Sequence, residues 1–311
     1  MSVEVQVPRS DRSAGRVVAL RHFWHQNRTG LLFVSPWLVG FILFQAWPFL
    51  GSAYLSFTSY DLVSAPRYVG LENYRTLVSD DPAFWQSLGV TLRYAVVSVP
   101  LSVVAGVALA LLLNIEIRGQ ALFRTLFYLP SVLPQVATAV LFNWILNPEL
   151  GLANGLLHLI GIQGPAWLQD VKWAPWTLVI LSLWGVGGGM VIYLAGLKDV
   201  PTYLYEAATL DGASLWQRLR AVTLPMLTPV IFYNVVMGVI GAFQTFTEAY
   251  VMTKGGPEGS TTFYALYLFR RAWENLDMGY ACAMAWILFV AIAAVTLMLF
   301  RSQRRWVNYD R

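Results

Sequence analysis

Six apolar runs, each long enough to cross a bilayer, constrain this chain more than any other feature of its sequence. They lie near residues 31–57, 86–114, 121–146, 174–197, 225–252 and 279–300. About 20 mainly apolar residues of helix cover the hydrocarbon core. Lipid offers an open backbone no hydrogen-bonding partner, so each run has to be helical or packed inside protein. Period-two alternation is absent, which argues against a transmembrane barrel. Only 12% of the residues are charged, against about a quarter in soluble domains. The first run is longer than the core of a signal peptide and is interrupted by Pro36 and Pro48, so it reads as a retained span. The expected fold is an all-α integral membrane protein. Six transmembrane helices fill residues 31–301, between a basic tail, 1–30, and a short tail, 302–311.

Lys and Arg orient the spans, because cytoplasmic segments carry the excess. With the N-terminus inside, the inner segments hold fourteen and the outer loops six, and Arg93 lies within the second run. Both tails are therefore expected in the cytoplasm, as is the segment 198–224. The basic excess marks an oriented membrane protein, and nucleic-acid binding is not indicated. The single cysteine, Cys282, excludes an intrachain disulfide. His22 and His25 have metal-compatible spacing but no carboxylate nearby, and read as surface residues. His158 falls in an outer loop. No phosphate-cradling G-x-x-x-x-G-K-[ST], H-E-x-x-H or G-x-S-x-G occurs, so no catalytic constellation is found.

Residues 206–229, EAATLDGASLWQRLRAVTLPMLTP, interrupt the apolar pattern. Leu204, Ala207 and Ala208 fall at helical spacing before Asp211-Gly212; Leu215, Leu219 and Val222 fall on one face after it. Gly212 suits the break, since glycine reaches backbone angles closed to other residues, and Asp211 suits a turn or cap. Pro225 and Pro229 fit the first turns of the next span. The spacing predicts a helix–turn–helix with an apolar face. That face either docks into a cleft or lies on the membrane surface.

Polar groups inside spans are candidate path residues. In the fifth run Gln244, Thr245 and Glu248 are spaced to share a helix face, with Asn234, Gly238 and Gly241 on the same helix. Gly185 to Gly189, GVGGG, either pack helices closely through small residues or leave room for a solute. Gln135, Asn143 and Trp144 in the third run are weaker candidates. Arg93 is expected to reach the outer interface or a carboxylate.

The spacing of Glu206, Ala207, Ala208, Asp211, Gly212, Ala213, Leu224, Pro225 and Pro229 closely resembles the coupling loop of ABC-importer permeases. YLPSVLPQVATAVLFNWILNP, GLKDVPTYLYEAA, VMTKGGPEGSTTFYALY and MGYACAMAWILF are similar to the carbohydrate-uptake branch. They are most similar to the first permease subunit of maltose-type and glycerol-phosphate-type systems, over residues 31–301. The family often has an aromatic where this chain has Leu219. The resemblance implies a non-enzymatic permease that forms half of an alternating-access path, with a di- or oligosaccharide as the cargo expected first. It implies a second similar permease, two ATPase subunits docked on the 206–224 loop, and an extracytoplasmic solute-binding protein. ATP and Mg would be bound by the ATPases, with no cofactor in this chain. The location implied is a bacterial-type cytoplasmic (inner) membrane. By the same resemblance Gly188, Gly241, Gln244 and Thr245 are sugar-contact positions, and glycine at 188 leaves more room than the family's larger residues. A permease for glycerol phosphate or another polyol, and an ion-coupled secondary transporter, are the competing readings. The second is opposed by the lack of an internal repeat.

Overall fold

The computed structural model describes residues 28–115 and 118–308. Most of the basic tail, with His22 and His25, lies outside the described residues, as does Arg311. The chain divides into two compact units, residues 1–54 and 55–311. In the first, helix α1, Arg28–Leu55, is apolar on every side. It contains a π-turn at Ile42–Ala46, just ahead of Pro48. A proline ring clashes with the carbonyl four residues back, and a widened turn moves that carbonyl away.

The second unit opens with a small hairpin, β1 (Thr58–Ser59) against β2 (Arg67–Tyr68), antiparallel with Thr58 opposite Tyr68. Helix α2, Glu72–Ser79, follows, then α3, Pro82–Leu113. The sequence marks the start of α3 clearly. Asp81 accepts from the amides of Ala83 and Phe84, and Pro82 occupies the first turn, where no amide is needed.

The third run is a bent pair: α4 (Gln120–Tyr128), extended by a 3₁₀ turn at Leu129–Val132, meets α5 (Gln135–Ile145) at 99°. Pro134 supplies no amide and holds Leu133 extended, at φ −69° and ψ 140°. After α6, Leu152–Leu159, the fourth run also divides. Helices α7 (Trp173–Ser182) and α8 (Gly187–Lys198) meet at 42°. Helix α9, Thr202–Leu210, leads to α10, Leu215–Phe243, and a helical turn at Ala249–Thr253. Helices α11 (Tyr264–Phe269) and α12 (Met278–Gln303) complete the unit. Among the described residues, four helices are long and apolar enough to span a membrane, and the two bent pairs bring the number to six.

Two expected boundaries change. The fifth span starts at Leu215, so Pro225 lies inside α10, not in its first turn. A π-turn at Leu219–Thr223 precedes it, the same device that precedes Pro48. The fifth span also ends at Phe243, nine residues before the expected end at 252.

Helix α3 is the axis of this unit. Its C-terminal half packs Val107, Ala110 and Leu113 against Met190, Tyr193 and Leu194 of α8 and Leu227 of α10. Its middle packs Ala95 and Val99 against Ala242 and Phe243. In lipid no hydrophobic gain draws helices together, so close fit has to do it, and small residues permit that fit. A Cβ on Gly106 would stand 2.8 Å from the Tyr193 ring, and one on Gly196 2.8 Å from Val230.

The end of the unit away from the α9–α10 turn is tied by one carboxylate. Asp81 Oδ2 accepts from the hydroxyls of Tyr267 (2.5 Å) and Tyr280 (2.5 Å) and from the Arg271 guanidinium (3.3 Å). Arg271 also lies over both rings, 5.3 Å and 4.7 Å from their centroids. The segment 264–273, YALYLFRRAW, is helical, and its second arginine, Arg271, belongs to this network.

Candidate functional site

Two features of the second unit can act on something outside it: the α9–α10 turn and a pair of polar cavities along α3.

The turn is rigid for reasons written in its residues. Gly212 has φ +75°, where a side chain is strained. Its amide donates to Thr209 O (3.0 Å), and the Ala213 amide donates to Ala208 O (2.9 Å). That pair of bonds closes the carbonyl end of a helix as a Schellman motif. Asp211 is the C-terminal cap of α9. On the far side Ser214 starts α10 with a capping box: its Oγ accepts from the Gln217 amide, and Gln217 Oε1 accepts from the Ser214 amide at 2.7 Å. The S-x-x-Q signal for this box is present in the sequence, beside the expected turn or cap residue Asp211. Arg218 donates to Thr209 Oγ1 (3.1 Å), and the hydroxyls of Tyr205 and Thr223 meet at 3.0 Å. Both bonds fasten α9 to α10.

The outward surface differs from the expected one. Leu219 and Val222 are half-buried at the root of α10. The exposed apolar groups are Leu210 (89%), Leu215 (78%) and Trp216 (67%), clustered around the turn. Glu206, Ala207 and Asp211 are exposed beside them, while Ala208 and Ala213 are half-buried. The tip therefore offers a tryptophan and two leucines as an apolar contact surface.

The cavities adjoin at Tyr94, Ser182 and Gly185. The first, ≈ 270 Å³, runs between α3, α8 and α10 and is lined by Ser98, Ser102, Asn234 and Tyr193, with Gly241 and Thr245 at one edge. The Tyr193 hydroxyl is buried without a partner. The second, ≈ 330 Å³, is lined by Ser131, Gln135, Thr138, Trp184 and Glu248. Glu248 is the charged group among the residues lining the two. Hydroxyls and carboxamides both donate and accept, so this lining can exchange hydrogen bonds with the hydroxyls of an uncharged solute.

The expected helix face of Gln244, Thr245 and Glu248 does not exist. Helix α10 stops at Phe243, and Gln244 is its exposed C-cap, at φ −100° and ψ 8°. The break turns Thr245 toward the first cavity and Glu248 toward the second. Periodicity placed all three on one helix because nothing in their apolar surroundings signals a stop. Asn143 and Trp144 line neither cavity, whereas Gln135 lines the second.

The neighbouring glycines of GVGGG divide their duties. A Cβ on Gly187 would lie 1.9 Å from the backbone oxygen of Phe127, so Gly187 is where α8 touches α4. A Cβ on Gly188 would meet Ser131 Cβ at 3.5 Å, an ordinary contact; Gly188 itself lines neither cavity, although Ser131 lines the second. Gly187→Ala is expected to lower the amount of folded protein extracted from membranes at least fivefold, while Gly188→Ala leaves it unchanged. Equal yields of the two variants in size-exclusion chromatography would refute this division.

Residues 82–308 match the family model described as "Binding-protein-dependent transport system inner membrane component". The chain is 46% identical to the probable ABC transporter permease protein YesP of Bacillus subtilis, over 91% of this chain and 93% of that protein. It is 32% identical to the trehalose/maltose transport system permease protein MalF of Thermococcus litoralis, over 90% and 95% of the two chains. Its fold superimposes on a chain of a bacterial ABC transporter involved in the import of the acidic polysaccharide alginate, with a TM-score of 0.81 and 22% identity over 92% of this chain and 99% of that one.

Proposed function

The chain belongs to the family of binding-protein-dependent transport system inner membrane components, a multi-pass permease subunit of an ABC importer, and from this we propose that it carries a di- or oligosaccharide and is driven through the α9–α10 turn. The permease forms half of an alternating-access path. A second, similar permease supplies the other half. Two cytoplasmic ATPase subunits bind ATP and Mg, and the solute arrives on an extracytoplasmic binding protein. Both termini and the turn are cytoplasmic, as the Lys and Arg distribution favours.

One observation carries the coupling role. The turn is capped on both sides, cross-tied, and continuous with a 29-residue helix, Leu215–Phe243, whose far end borders the polar cavities. A push on Trp216 therefore moves α10 as one body, and a partner at one end can bias access at the other. The contacts assigned to the ATPase are Glu206, Ala207, Ala208, Asp211, Gly212 and Ala213, to which the exposed Leu210, Leu215 and Trp216 are added. Leu219 and Pro225 support the turn from within.

The saccharide assignment rests on the hydroxyl-rich lining and on the trehalose/maltose relative. Gly241 and Thr245 border the path, Glu248 charges its neighbouring chamber, Gly188 adjoins Ser131 of that chamber, and Gln244 ends the helix between them. The reading is tested by affinity purification of the tagged chain from its native membrane, followed by uptake of a panel of radiolabelled saccharides. The expected result is co-purification of an ATPase and a second permease, with ATP-dependent uptake of a saccharide. Recovery of the chain without an ATPase, or uptake that follows a proton or sodium gradient without ATP, would sink it.

A further inference from the structure

A larger cavity, ≈ 590 Å³, lies between α3, α7 and the loop ahead of α11. It is built differently from the polar path. Two cations, Arg93 and Lys172, share it with Glu258, Ser260 and Gln86, and most of its remaining wall is apolar, with Val97, Val179 and Trp176 on one side. Arg93 Nε donates to Gly89 O within its own helix (3.1 Å), which leaves both terminal nitrogens for something else. Among the described residues, ion pairs join Arg270 to Glu274 and Arg271 to Asp81, so neither cavity cation is neutralised by a carboxylate. The Ser260 hydroxyl is buried and has no hydrogen-bond partner.

The depth of the cavity selects its occupant. Helix α3 has 32 residues, more than a span requires. Counting back from Leu113, about 20 residues, or ~30 Å of helix, reach Tyr94. Arg93 therefore stands where the hydrocarbon core gives way to headgroups. Lys172 is the residue that begins α7, and Trp176, 55% exposed, sits in the first turn of that helix. Arg, Lys and Trp at this level are how membrane proteins meet the interface, and basic pockets between spans take up lipid headgroups.

We propose that this groove is a phospholipid site. The phosphate sits on Arg93 and Lys172, the ammonium of a phosphatidylethanolamine headgroup pairs with Glu258, and an acyl chain runs along Val97, Val179 and Trp176. Charge complementarity favours this occupant over a carboxylated solute, because two cations and one carboxylate match a zwitterionic head. The wall of Val97, Val179 and Trp176 below matches a chain. The site lies on the outer side of Tyr94, which also borders the polar cavities.

The test is native mass spectrometry of the protein, purified with its co-purifying subunits, delipidated, and titrated with phosphatidylethanolamine or phosphatidylglycerol. One tightly held phosphatidylethanolamine adduct is expected. The Arg93→Gln, Lys172→Gln double variant should weaken it at least tenfold, while Arg67→Gln, an exposed cation of β2, leaves it unchanged. Glu258→Gln should keep phosphate binding but erase the preference for phosphatidylethanolamine over phosphatidylglycerol; this second variant retains both cations and so separates recognition from folding. Unchanged lipid affinity in the double variant overturns the proposal. So does displacement of the lipid by digalacturonate in an Arg93-dependent manner, which would make the groove a vestibule for acidic solutes.

Discussion

Replacing Asp81 by alanine is expected to destabilise the second unit by roughly 3 kcal/mol, the lower end of the cost of removing one partner of a buried ion pair. The carboxylate is 7% exposed. It caps the start of α3 and receives Tyr267, Tyr280 and Arg271 from the C-terminal part of the chain. Its removal leaves two hydroxyls and a guanidinium without their acceptor, and water reaches only part of this site. Asp81→Asn keeps the cap and the shape and loses the charge, so it should cost about half as much. Thermal unfolding in detergent, monitored by tryptophan fluorescence, measures both. A melting temperature for Asp81→Ala within 1–2 °C of wild type would refute the assignment, given the ~2–4 °C per kcal/mol typical of chains this size.

The same residue sets a pH dependence. Burial raises the Asp81 carboxyl, but hydrogen bonds from Tyr267, Tyr280 and the Phe84 amide, with the Arg271 charge, outweigh it and hold the group below the usual carboxylate range. A depressed folded-state value means that the unfolded chain takes up the proton first. The stabilisation is therefore complete above the unfolded value of about 3.9 and is lost as pH falls through the lower folded value. Wild type should lose stability on acidification below about pH 4, and Asp81→Asn should show a flatter profile over that range. Parallel profiles would assign the acid sensitivity elsewhere.

Gly212→Val is expected to abolish transport while leaving the protein in the membrane. No atom lies within 4 Å of the Cβ it would acquire, so the cost is not a clash with neighbours. It is conformational: φ is +75°, where an L-residue loses about 1–2 kcal/mol and a β-branched one fares worse. The chain can escape only by giving up the two Schellman bonds, which swings Trp216 and Leu215 away from Glu206 and Asp211. Binding-protein-stimulated ATP hydrolysis by the assembled transporter should fall more than tenfold. Gly212→Asn, which tolerates this conformation, should retain most of it. Full activity in Gly212→Val would show that the turn does not transmit the signal.

The α9–α10 turn was legible in the sequence because its determinants are local. Gly212 needs only its own backbone angle, and Asp211 and Ser214 act within one helical turn. What escaped was the surface. Spacing put Leu215, Leu219 and Val222 on one apolar face, yet the π-turn ahead of Pro225 rotates the helix and tucks Leu219 and Val222 into its root. The tip is left to Leu210, Leu215 and Trp216. The path was less legible. Gln244, Thr245 and Glu248 look helical because a long apolar run carries no stop signal, and the break after Phe243 comes from packing against α3.

The sequence by itself determined the class of this protein: six apolar runs, interrupted by one capped turn whose residues mark a permease of the binding-protein-dependent family. Those signals are one-dimensional, since a bilayer reads apolar length and a helix cap reads its nearest neighbours. Only the tertiary structure decided which runs bend, that Asp81 is answered by Tyr267, Arg271 and Tyr280 nearly two hundred residues away, and that Arg93, Lys172 and Glu258 share one groove. In a helical bundle these pairings depend on which small residues let two helices touch. That contact, as at Gly187 against Phe127, belongs to the two partners together and appears in neither stretch alone.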